Sequence, residues 1–266
     1  MTPDPETVAA ILKETADAEI MPRFKTLERH EITEKASGDL VTAADHAAEA
    51  VLTLRLKDIA PGALVIGEEA HEKAPQALAE LAAAPEAWII DPVDGTHNFA
   101  HGVPRFAVIV AYCRRGETAM GWILNPVSGE EAVGEHGGGV RIDGAPARAS
   151  EAKAIREMTG SLGPRLAERL QAARGQEKPA GITRYRTVGL EYMDLARGKL
   201  DFARYGGRLM PWDHAAGVLL HREAGGYAAL ASDGSGYTPG LRRPGDALLL
   251  APDRHCWEAL RALTRG

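Results

Sequence analysis

The sequence has few of the features that mark secreted, membrane-spanning or nucleic-acid-binding proteins. It contains two cysteines, Cys113 and Cys256, and no CxxC pair, which argues against a disulfide framework and a thiolate zinc site. No apolar run reaches the ~20 residues needed to span a bilayer. The acidic N-terminal segment lacks the basic and apolar regions of a secretory signal. These absences predict a cytoplasmic protein that does not act at a membrane.

Positive charge is not in excess either. The 266 residues include 31 lysines and arginines against 37 aspartates and glutamates, a formal net charge of -6 at pH 7. Such a surface disfavours nucleic acid as a partner. Hydrophobic residues make up 45% of the chain, which is ordinary for a globular protein. The length allows one large domain or two smaller ones packed together.

Hydrophobic periodicity predicts helices first, then a strand meander, then an alternation of helices and strands. Apolar residues at helical spacing predict helices over about Thr7 to Phe24 and Thr42 to Ile59. Turns at Arg115-Gly116 and Asn125 to Gly129 separate several predicted strands. This order indicates an α+β first half, residues 1–147, and an α/β second half, residues 148–266.

Acidic residues stand where the predicted strands end and where one helix begins. Glu68 follows "LVIG", Asp91 and Asp94 follow "WII", and Asp213 opens the helix that starts at Pro211. Strand ends and helix starts are where side chains converge on a cleft. Carboxylates gathered there repel one another unless a divalent cation lies between them. Oxygen-only ligands suit Mg²⁺.

The Gly95-Thr96 step adds a candidate phosphate site. If a helix begins there, its first N–H groups are unpaired and can bind an anion. A phosphate held between these donors and a metal could be attacked by a metal-activated water. The residues alone leave a structural polar turn as an equal alternative to this catalytic site.

Other metal motifs fit the segment after Asp91 less well. In an EF-hand count from Asp91, the third position is Val93 and the twelfth is Gly102, and neither side chain can bind Ca²⁺. His97 and His101 have the spacing of helical zinc ligands, but the glutamate expected after the first histidine is absent. Calcium-sensor and metalloprotease readings are therefore disfavoured.

Three segments together resemble the inositol monophosphatase family of Mg²⁺-dependent, lithium-sensitive phosphomonoesterases. They are "GEE" (Gly67 to Glu69), "DPVDGTHNF" (Asp91 to Phe99) and "PWDHAAG" (Pro211 to Gly217), and "DLVTAAD" (Asp39 to Asp45) resembles the segment upstream of them. The resemblance covers nearly the whole chain. It implies a layered αβαβα sandwich of the inositol monophosphatase and fructose-1,6-bisphosphatase type, and a homodimer.

The resemblance also implies the ligands of two or three Mg²⁺ ions, with Mn²⁺ as an alternative metal. Glu68, Asp91 and the carbonyl of Val93 would hold the first ion. Asp91, Asp94 and Asp213 would hold the second, so that Asp91 bridges the pair. Glu68 would also contribute to a third, weaker site.

The remaining catalytic roles fall on neighbouring residues. By resemblance, Glu68 and Thr96 would position the attacking water, and Asp45 would accept its proton. The backbone N–H groups of Gly95 and Thr96 would bind phosphate oxygens. The simpler alternatives are that Asp45 only caps a helix and that Asp213 only complements the dipole of its helix.

The chain departs from the family where relatives contact the organic part of the substrate. Relatives that act on inositol phosphate often carry a glutamate seven residues before the last metal aspartate, where this chain has Gly206. A "G-[ST]-A-A" helix start is replaced by Gly189-Leu190-Glu191-Tyr192. We hypothesise that Glu191 recognises substrate hydroxyls or an amine and that Arg208 adds a positive contact. The alternative is that Glu191 faces solvent and Arg208 pairs with a surface acid.

The expected reaction is Mg²⁺-dependent hydrolysis of a small phosphomonoester, with inositol 1-phosphate as the first candidate. Fructose 1,6-bisphosphate, histidinol phosphate and 3'-phosphoadenosine 5'-phosphate are alternatives within the family. An alternative of another class is a non-catalytic protein that binds phosphate ligands or regulates a partner.

Overall fold

The computed structural model describes residues 2–26, 32–34, 40–175, 177–240 and 243–265. The α-helices are α1 (Pro5–Thr15), α2 (Ala43–Ile59), α3 (Glu68–Lys73), α4 (Ala77–Glu80), α5 (Thr96–Ala100), α6 (Pro164–Ala172), α7 (Val188–Ala196), α8 (Pro211–Glu223) and α9 (Arg254–Thr264).

The strands form three sheets. The first is the short antiparallel pair β1 (Ile32–Glu34) and β2 (Leu40–Thr42). The second has seven strands in chain order: β3 (Leu64–Gly67), β4 (Glu86–Asp94), β5 (Ala107–Arg114), β6 (Glu117–Leu124), β7 (Glu131–Glu135), β8 (Gly139–Ile142) and β9 (Ala145–Pro146). The third has five strands in the order β11-β10-β12-β14-β13: β10 (Thr159–Leu162), β11 (Gly181–Thr183), β12 (Phe202–Gly206), β13 (Tyr227–Leu230) and β14 (Ala247–Ala251).

The seven-stranded sheet is covered by helices on both faces. Helices α1 and α2 lie on one face, where Leu12 and Leu52 join a buried cluster with Trp88 and Ile90 of β4. The opposite face packs against α7 and α8. Neighbouring residues of a strand point to opposite faces. Ile89, between Trp88 and Ile90, therefore lies in a different buried cluster, which it shares with side chains of α7 and α8. Asp91 and Asp94 lie at the carboxyl-terminal end of this strand.

Helices α7 and α8 also contact the five-stranded sheet, so they form the middle layer between the two sheets. The outer face of the five-stranded sheet is covered by α6 and α9, whose Leu170 and Trp257 lie in a third buried cluster. The layers therefore alternate as helix, sheet, helix, sheet, helix. This confirms the predicted αβαβα sandwich.

The two large sheets use separate lengths of chain, residues 64–146 and 159–251. One buried cluster nevertheless includes side chains from both lengths, such as Ile109 and Leu248. The division into two subdomains at residue 147 stays a prediction. The described residues contain no helix long and apolar enough to cross a membrane.

Some predicted boundaries differ from those in the structure. The N-terminal α-helix ends at Thr15 and continues as a π-helical turn (Ala16–Ile20) and a 3-10 turn (Met21–Arg23). Pro22 has no backbone N–H for another α-helical hydrogen bond. This accounts for the departure from α-helical geometry near the C-terminal end of the segment. The strands β11 and β13 were not predicted.

Candidate active site

A cavity of about 630 Å³ opens where the carboxyl end of β4 meets the first turns of α5, α7 and α8. Most of the predicted site residues line it, namely Glu68, Asp91, Val93, Asp94, Gly95, Thr96, Glu191, Arg208 and Asp213. Asp45 is the exception: it is fully buried and makes its contact with the site through Thr96. Residues far apart in the chain thus meet at one cavity.

A β-bulge places Asp91 and Asp94 on the same face of the sheet. Asp91 lies opposite Ile109 and Asp94 lies opposite Ala107, so β4 has one residue more than β5 over this stretch. Residues three apart in a regular strand point to opposite faces, but one extra residue reverses that relation. Pro92 lies in the bulge, where proline is tolerated. The D-x-x-D spacing therefore brings both carboxylates to the cavity.

Asp91 is the most constrained acid of the site. It is 1% exposed, and its Oδ1 atom is buried without a hydrogen-bond partner. Burial raises the pKa of Asp91 well above its ordinary value, and the nearby carboxylates of Glu68, Asp94, Asp213 and Asp45 raise it further. A bound cation would favour the ionised carboxylates and supply the missing partner of Oδ1.

The donor chemistry at this position fits Mg²⁺. Every candidate ligand is a carboxylate or carbonyl oxygen, which is the donor type that hard divalent cations prefer. In the described ranges, no three acidic, histidine or cysteine side chains are already arranged to hold a metal ion. Asp91 offers a buried oxygen without a partner, while Glu68 and Asp213 are only partly buried. The fit therefore rests on the donor set and on Asp91.

Asp94 is held in place by the first turn of α7. Its Oδ2 accepts hydrogen bonds from the Thr187 hydroxyl at 2.5 Å and the Gly189 amide at 2.6 Å, and its Oδ1 accepts one from the Val188 amide at 3.1 Å. Burial raises the pKa of Asp94, and these three hydrogen bonds offset part of that effect. A Cβ atom at position 189 would lie 3.1 Å from Oδ2 and 2.9 Å from the Cβ of Ala107. This close approach favours glycine at position 189.

The position of Glu68 is set by a second acid, Glu49 of α2. The two carboxylate oxygens of Glu49 accept hydrogen bonds from the backbone amides of Glu69 and Ala70, each at 2.8 Å. These amides belong to the first turn of α3, whose first residue is Glu68. A Cβ atom at Gly67 would overlap the Glu49 carboxyl group. Glu49 therefore fixes the start of the helix that presents Glu68.

Glu49 was not among the predicted site residues, although the sequence contains a signal for it. Glu49 lies four residues after Asp45 and three before Leu52, on the same buried face of α2. A glutamate is rarely buried unless its charge has partners. An acid on the apolar face of a predicted helix therefore indicates a specific role for that side chain.

Asp45 both caps α2 and contacts Thr96. Its Oδ2 accepts hydrogen bonds from the Thr42 amide at 2.9 Å and the Thr42 hydroxyl at 2.6 Å, within a capping box. Its Oδ1 lies 3.2 Å from the Thr96 hydroxyl, which is also 3.0 Å from the carbonyl oxygen of Val93. The two roles considered for Asp45 are thus geometrically compatible. Its role as proton acceptor stays a prediction.

Gly95 precedes α5 in a left-handed conformation with φ of 93°. A side chain at this position would be strained, and its Cβ would lie 3.0 Å from the Cβ of Thr187. The predicted helix start at Thr96 is confirmed. The binding of phosphate oxygens by the amides of Gly95 and Thr96 stays a prediction.

Glu191 lines the cavity as a buried side chain. It is 3% exposed and accepts a hydrogen bond from the Tyr185 amide at 2.8 Å. Burial raises the pKa of Glu191, and donors from Tyr185, Ser161 and Tyr205 lower it in part. The alternative in which Glu191 faces solvent is therefore wrong. Its contact with substrate stays a prediction.

Arg208 is exposed at the cavity. It forms no ion pair with any carboxylate of the described residues. Among the described residues, no surface acid is paired with Arg208, as the alternative would require. Its role in substrate recognition also stays a prediction.

The histidines near the site act in packing and hydrogen bonding. The ring of His97 stacks on His101, with 4.3 Å between ring centroids, and both of its nitrogens lie 3.1 Å from Nη1 of Arg186. Burial and the adjacent positive charge of Arg186 lower the pKa of His97. His214 and His221 are buried, and their nearest polar partners are the Tyr192 hydroxyl and the Ala251 carbonyl oxygen.

Comparison with known proteins identifies the family. The model of the inositol monophosphatase family matches residues 4–255. The chain belongs to this family. It is 33% identical to the inositol-1-monophosphatase of Rhizobium meliloti over 221 residues, 79% of each chain. It is also 33% identical to the Nus factor SuhB of Pseudomonas aeruginosa over 252 residues, 89% of this chain and 88% of the relative.

The fold agrees with this assignment to the inositol monophosphatase family. The solved structure of the Thermotoga maritima IMPase superposes with a TM-score of 0.81 and covers 97% of this chain and 95% of its own, at 23% identity. Membership of the family makes the chain a phosphoric monoester hydrolase of the inositol-phosphate phosphatase type, in a family that is generally Mg²⁺-dependent.

We predict that Glu49→Gln weakens both the fold and the metal site. The amide group of glutamine would face a backbone N–H that now donates to a carboxylate oxygen, so one buried donor loses its partner. We expect the free energy of unfolding to fall by about 1–3 kcal/mol, and half-maximal activity to require more Mg²⁺. Urea denaturation and a Mg²⁺ titration of phosphate release measure the two effects.

The matched control for Glu49→Gln is Asp58→Asn, an exposed acid on the same helix. This change is expected to alter the free energy of unfolding by no more than about 0.5 kcal/mol and to leave the Mg²⁺ requirement unchanged. Equal effects of the two substitutions would show that Glu49 has no special role in positioning Glu68.

Proposed function

We propose that this hydrolase releases phosphate from a small phosphomonoester in a Mg²⁺-dependent reaction, with inositol 1-phosphate as the first candidate substrate. One observation carries the proposal: Asp91 holds a buried oxygen without a hydrogen-bond partner among four other carboxylates. Such an arrangement is costly without a cation. Fructose 1,6-bisphosphate, histidinol phosphate and 3'-phosphoadenosine 5'-phosphate are the alternative substrates.

The proposed metal ligands are oxygen atoms of five residues. Glu68, Asp91 and the Val93 carbonyl would hold one Mg²⁺, and Asp91, Asp94 and Asp213 a second, with a third, weaker ion beside Glu68 and Mn²⁺ as a substitute metal. When bound, such ions stabilise phosphate oxygens and lower the pKa of water. In hydrolysis the water oxygen bonds to phosphorus, the ester P–O bond breaks, and the leaving oxygen takes up a proton.

Thr96 is proposed to position the attacking water, and Asp45 is proposed to accept its proton. The Thr96 hydroxyl lies 3.2 Å from Asp45 Oδ1, so it can donate to that carboxylate and accept a hydrogen bond from the water. The other oxygen of Asp45 is held by Thr42, which fixes the orientation of the carboxylate. The amides of Gly95 and Thr96 would bind phosphate oxygens.

Glu191 and Arg208 are proposed to contact the part of the substrate beyond the phosphate. Both line the cavity, and the buried carboxylate of Glu191 is oriented by the Tyr185 amide. Glu191 would accept hydrogen bonds from substrate hydroxyls or an amine, and Arg208 would supply a positive contact. The homodimer remains a prediction.

Asp91→Asn is predicted to abolish phosphate release. The substitution removes the charge shared by both proposed metal positions while keeping the shape of the side chain. Phosphate release from a panel of phosphomonoesters should require Mg²⁺ and fall to the level of the EDTA control in the variant. Mg²⁺-independent release, or full activity of Asp91→Asn, would contradict the proposed metal-dependent mechanism.

Thr96→Val and Thr96→Ser separate the hydroxyl from the shape of the side chain. Valine matches threonine in shape but has no hydroxyl, so we expect kcat to fall by about 10²- to 10⁴-fold. Serine retains the hydroxyl and should keep most of the activity. Similar kcat values for the valine variant and wild type would rule out a role for the hydroxyl in proton transfer.

A second role, alongside hydrolysis, is suggested by the relative named Nus factor SuhB, which matches along 89% of this chain. We propose that the chain also binds a protein partner through its outer surface, independently of the cavity. Asp91→Asn would then lose phosphate release but keep partner binding. Loss of both properties together would count against a separate role.

A further inference from the structure

Four arginines line the same cavity as the metal-ligand candidates. They are Arg184 and Arg186, which precede α7, Arg204 in β12, and Arg208 before α8. None of them forms an ion pair with a carboxylate of the residues that the structure describes. The chain as a whole is acidic, with a net charge of -6. The cavity is therefore locally rich in positive charge although the chain as a whole is negative.

Arg204 is the most informative of the four. It is half-buried, and its Nε atom is buried without a hydrogen-bond partner. Burial and the positive charge of Arg169 lower the pKa of Arg204. The charge of Asp246, which accepts hydrogen bonds from Ser232, offsets this only in part. A guanidinium that is partly withdrawn from water without an anionic partner is unfavourable. An anion bound in the cavity would satisfy it, since guanidinium groups form paired hydrogen bonds with phosphate and carboxylate.

The residue at position 206 determines whether a carboxylate of the protein itself could pair with the Arg204 guanidinium. A Cβ atom at Gly206 would lie 3.8 Å from Nη1 of Arg204 and 4.0 Å from the Cβ of Ala247, which are ordinary contact distances. A glutamate at this position would therefore fit and would place its carboxylate near the guanidinium. The glycine leaves the charge of Arg204 available to a ligand.

We propose that Arg204 and Arg208 bind a second anionic group on the substrate, either a phosphate or a carboxylate. This inference rests on the proposed phosphatase function and specifies its substrate class: it favours the candidates with a second anionic group, such as fructose 1,6-bisphosphate, over inositol 1-phosphate, which has none. The phosphate to be hydrolysed lies among the metal ligands, and the second anion is held by the segment 204–208 on both sides of Gly206. Arg184 and Arg186 add to the positive field of the cavity. Its volume of about 630 Å³ is in the range of small-molecule sites.

The first test compares substrates that differ only in the second anion, with Mg²⁺ present. The phosphate pair is fructose 1,6-bisphosphate and fructose 1-phosphate, and the carboxylate pair is 3-phosphoglycerate and glycerol 3-phosphate. We expect the member with two anionic groups in at least one pair to have a higher kcat/KM, by about tenfold to a hundredfold. The pair that shows the preference identifies the second group. Ratios near one in both pairs would overturn the inference.

The second test changes the charge beside the proposed anion. Arg204→Gln removes the positive charge, and Gly206→Glu supplies an internal carboxylate for Arg204. Both should reduce the ratio of kcat/KM values between the substrate with two anionic groups and its partner to near one. Gly206→Gln, which adds nearly the same volume without charge, is the control and should keep the preference. A preference that survives both charge-changing variants would contradict the proposal.

Absence of phosphatase activity and absence of the second anion site give different results in these assays. If neither the four esters of the two pairs nor inositol 1-phosphate is hydrolysed with Mg²⁺, the proposed function is wrong and the inference fails with it. If inositol 1-phosphate alone is hydrolysed, the phosphatase function stands and the second anion site is wrong. If fructose 1-phosphate and glycerol 3-phosphate, which have a single anionic group, are hydrolysed as well as their partners, the phosphatase function stands and only the second anion site is wrong. Hydrolysis of these two esters by each variant also shows that the variant is folded.

Discussion

The electrostatic repulsion among carboxylates around Asp91 is the constraint on which the rest of the site depends. Asp91 is buried, one of its oxygens has no hydrogen-bond partner, and its pKa is raised first by burial and then by four other acids. The fold holds these carboxylates close together, although their mutual repulsion opposes this arrangement. A divalent cation removes this cost and turns the cluster into a site for phosphate chemistry.

Three local structural features hold the acids in this arrangement. The bulge in β4 turns Asp91 and Asp94 to one face of the sheet. The first turn of α7 donates three hydrogen bonds to Asp94. Glu49 binds the first turn of α3 and so places Glu68. Each of these uses backbone groups near the ends of elements, which are set by the fold, and the Thr187 hydroxyl and the Glu49 carboxylate add side-chain contacts.

The order of helices, the meander and the acidic positions could be read from the sequence, because each depends on local patterns. Strand β11 was missed since it has only three residues, Gly181–Thr183, too few to show a period. The bulge after Asp91 was not predictable, because register depends on the partner strand β5. Arg204 was missed for a related reason: its closeness to the cavity comes from tertiary packing. Glu49, by contrast, could have been found from the apolar face of α2.

The most direct test of the central claim is a crystal structure with Mn²⁺, read from its anomalous scattering. We expect a peak beside Asp91 Oδ1, among the oxygens of Glu68, Asp94 and Asp213, and loss of this peak in Asp91→Asn. An anomalous map without a peak at Asp91 under saturating Mn²⁺ would contradict the claim that these carboxylates are gathered to bind metal.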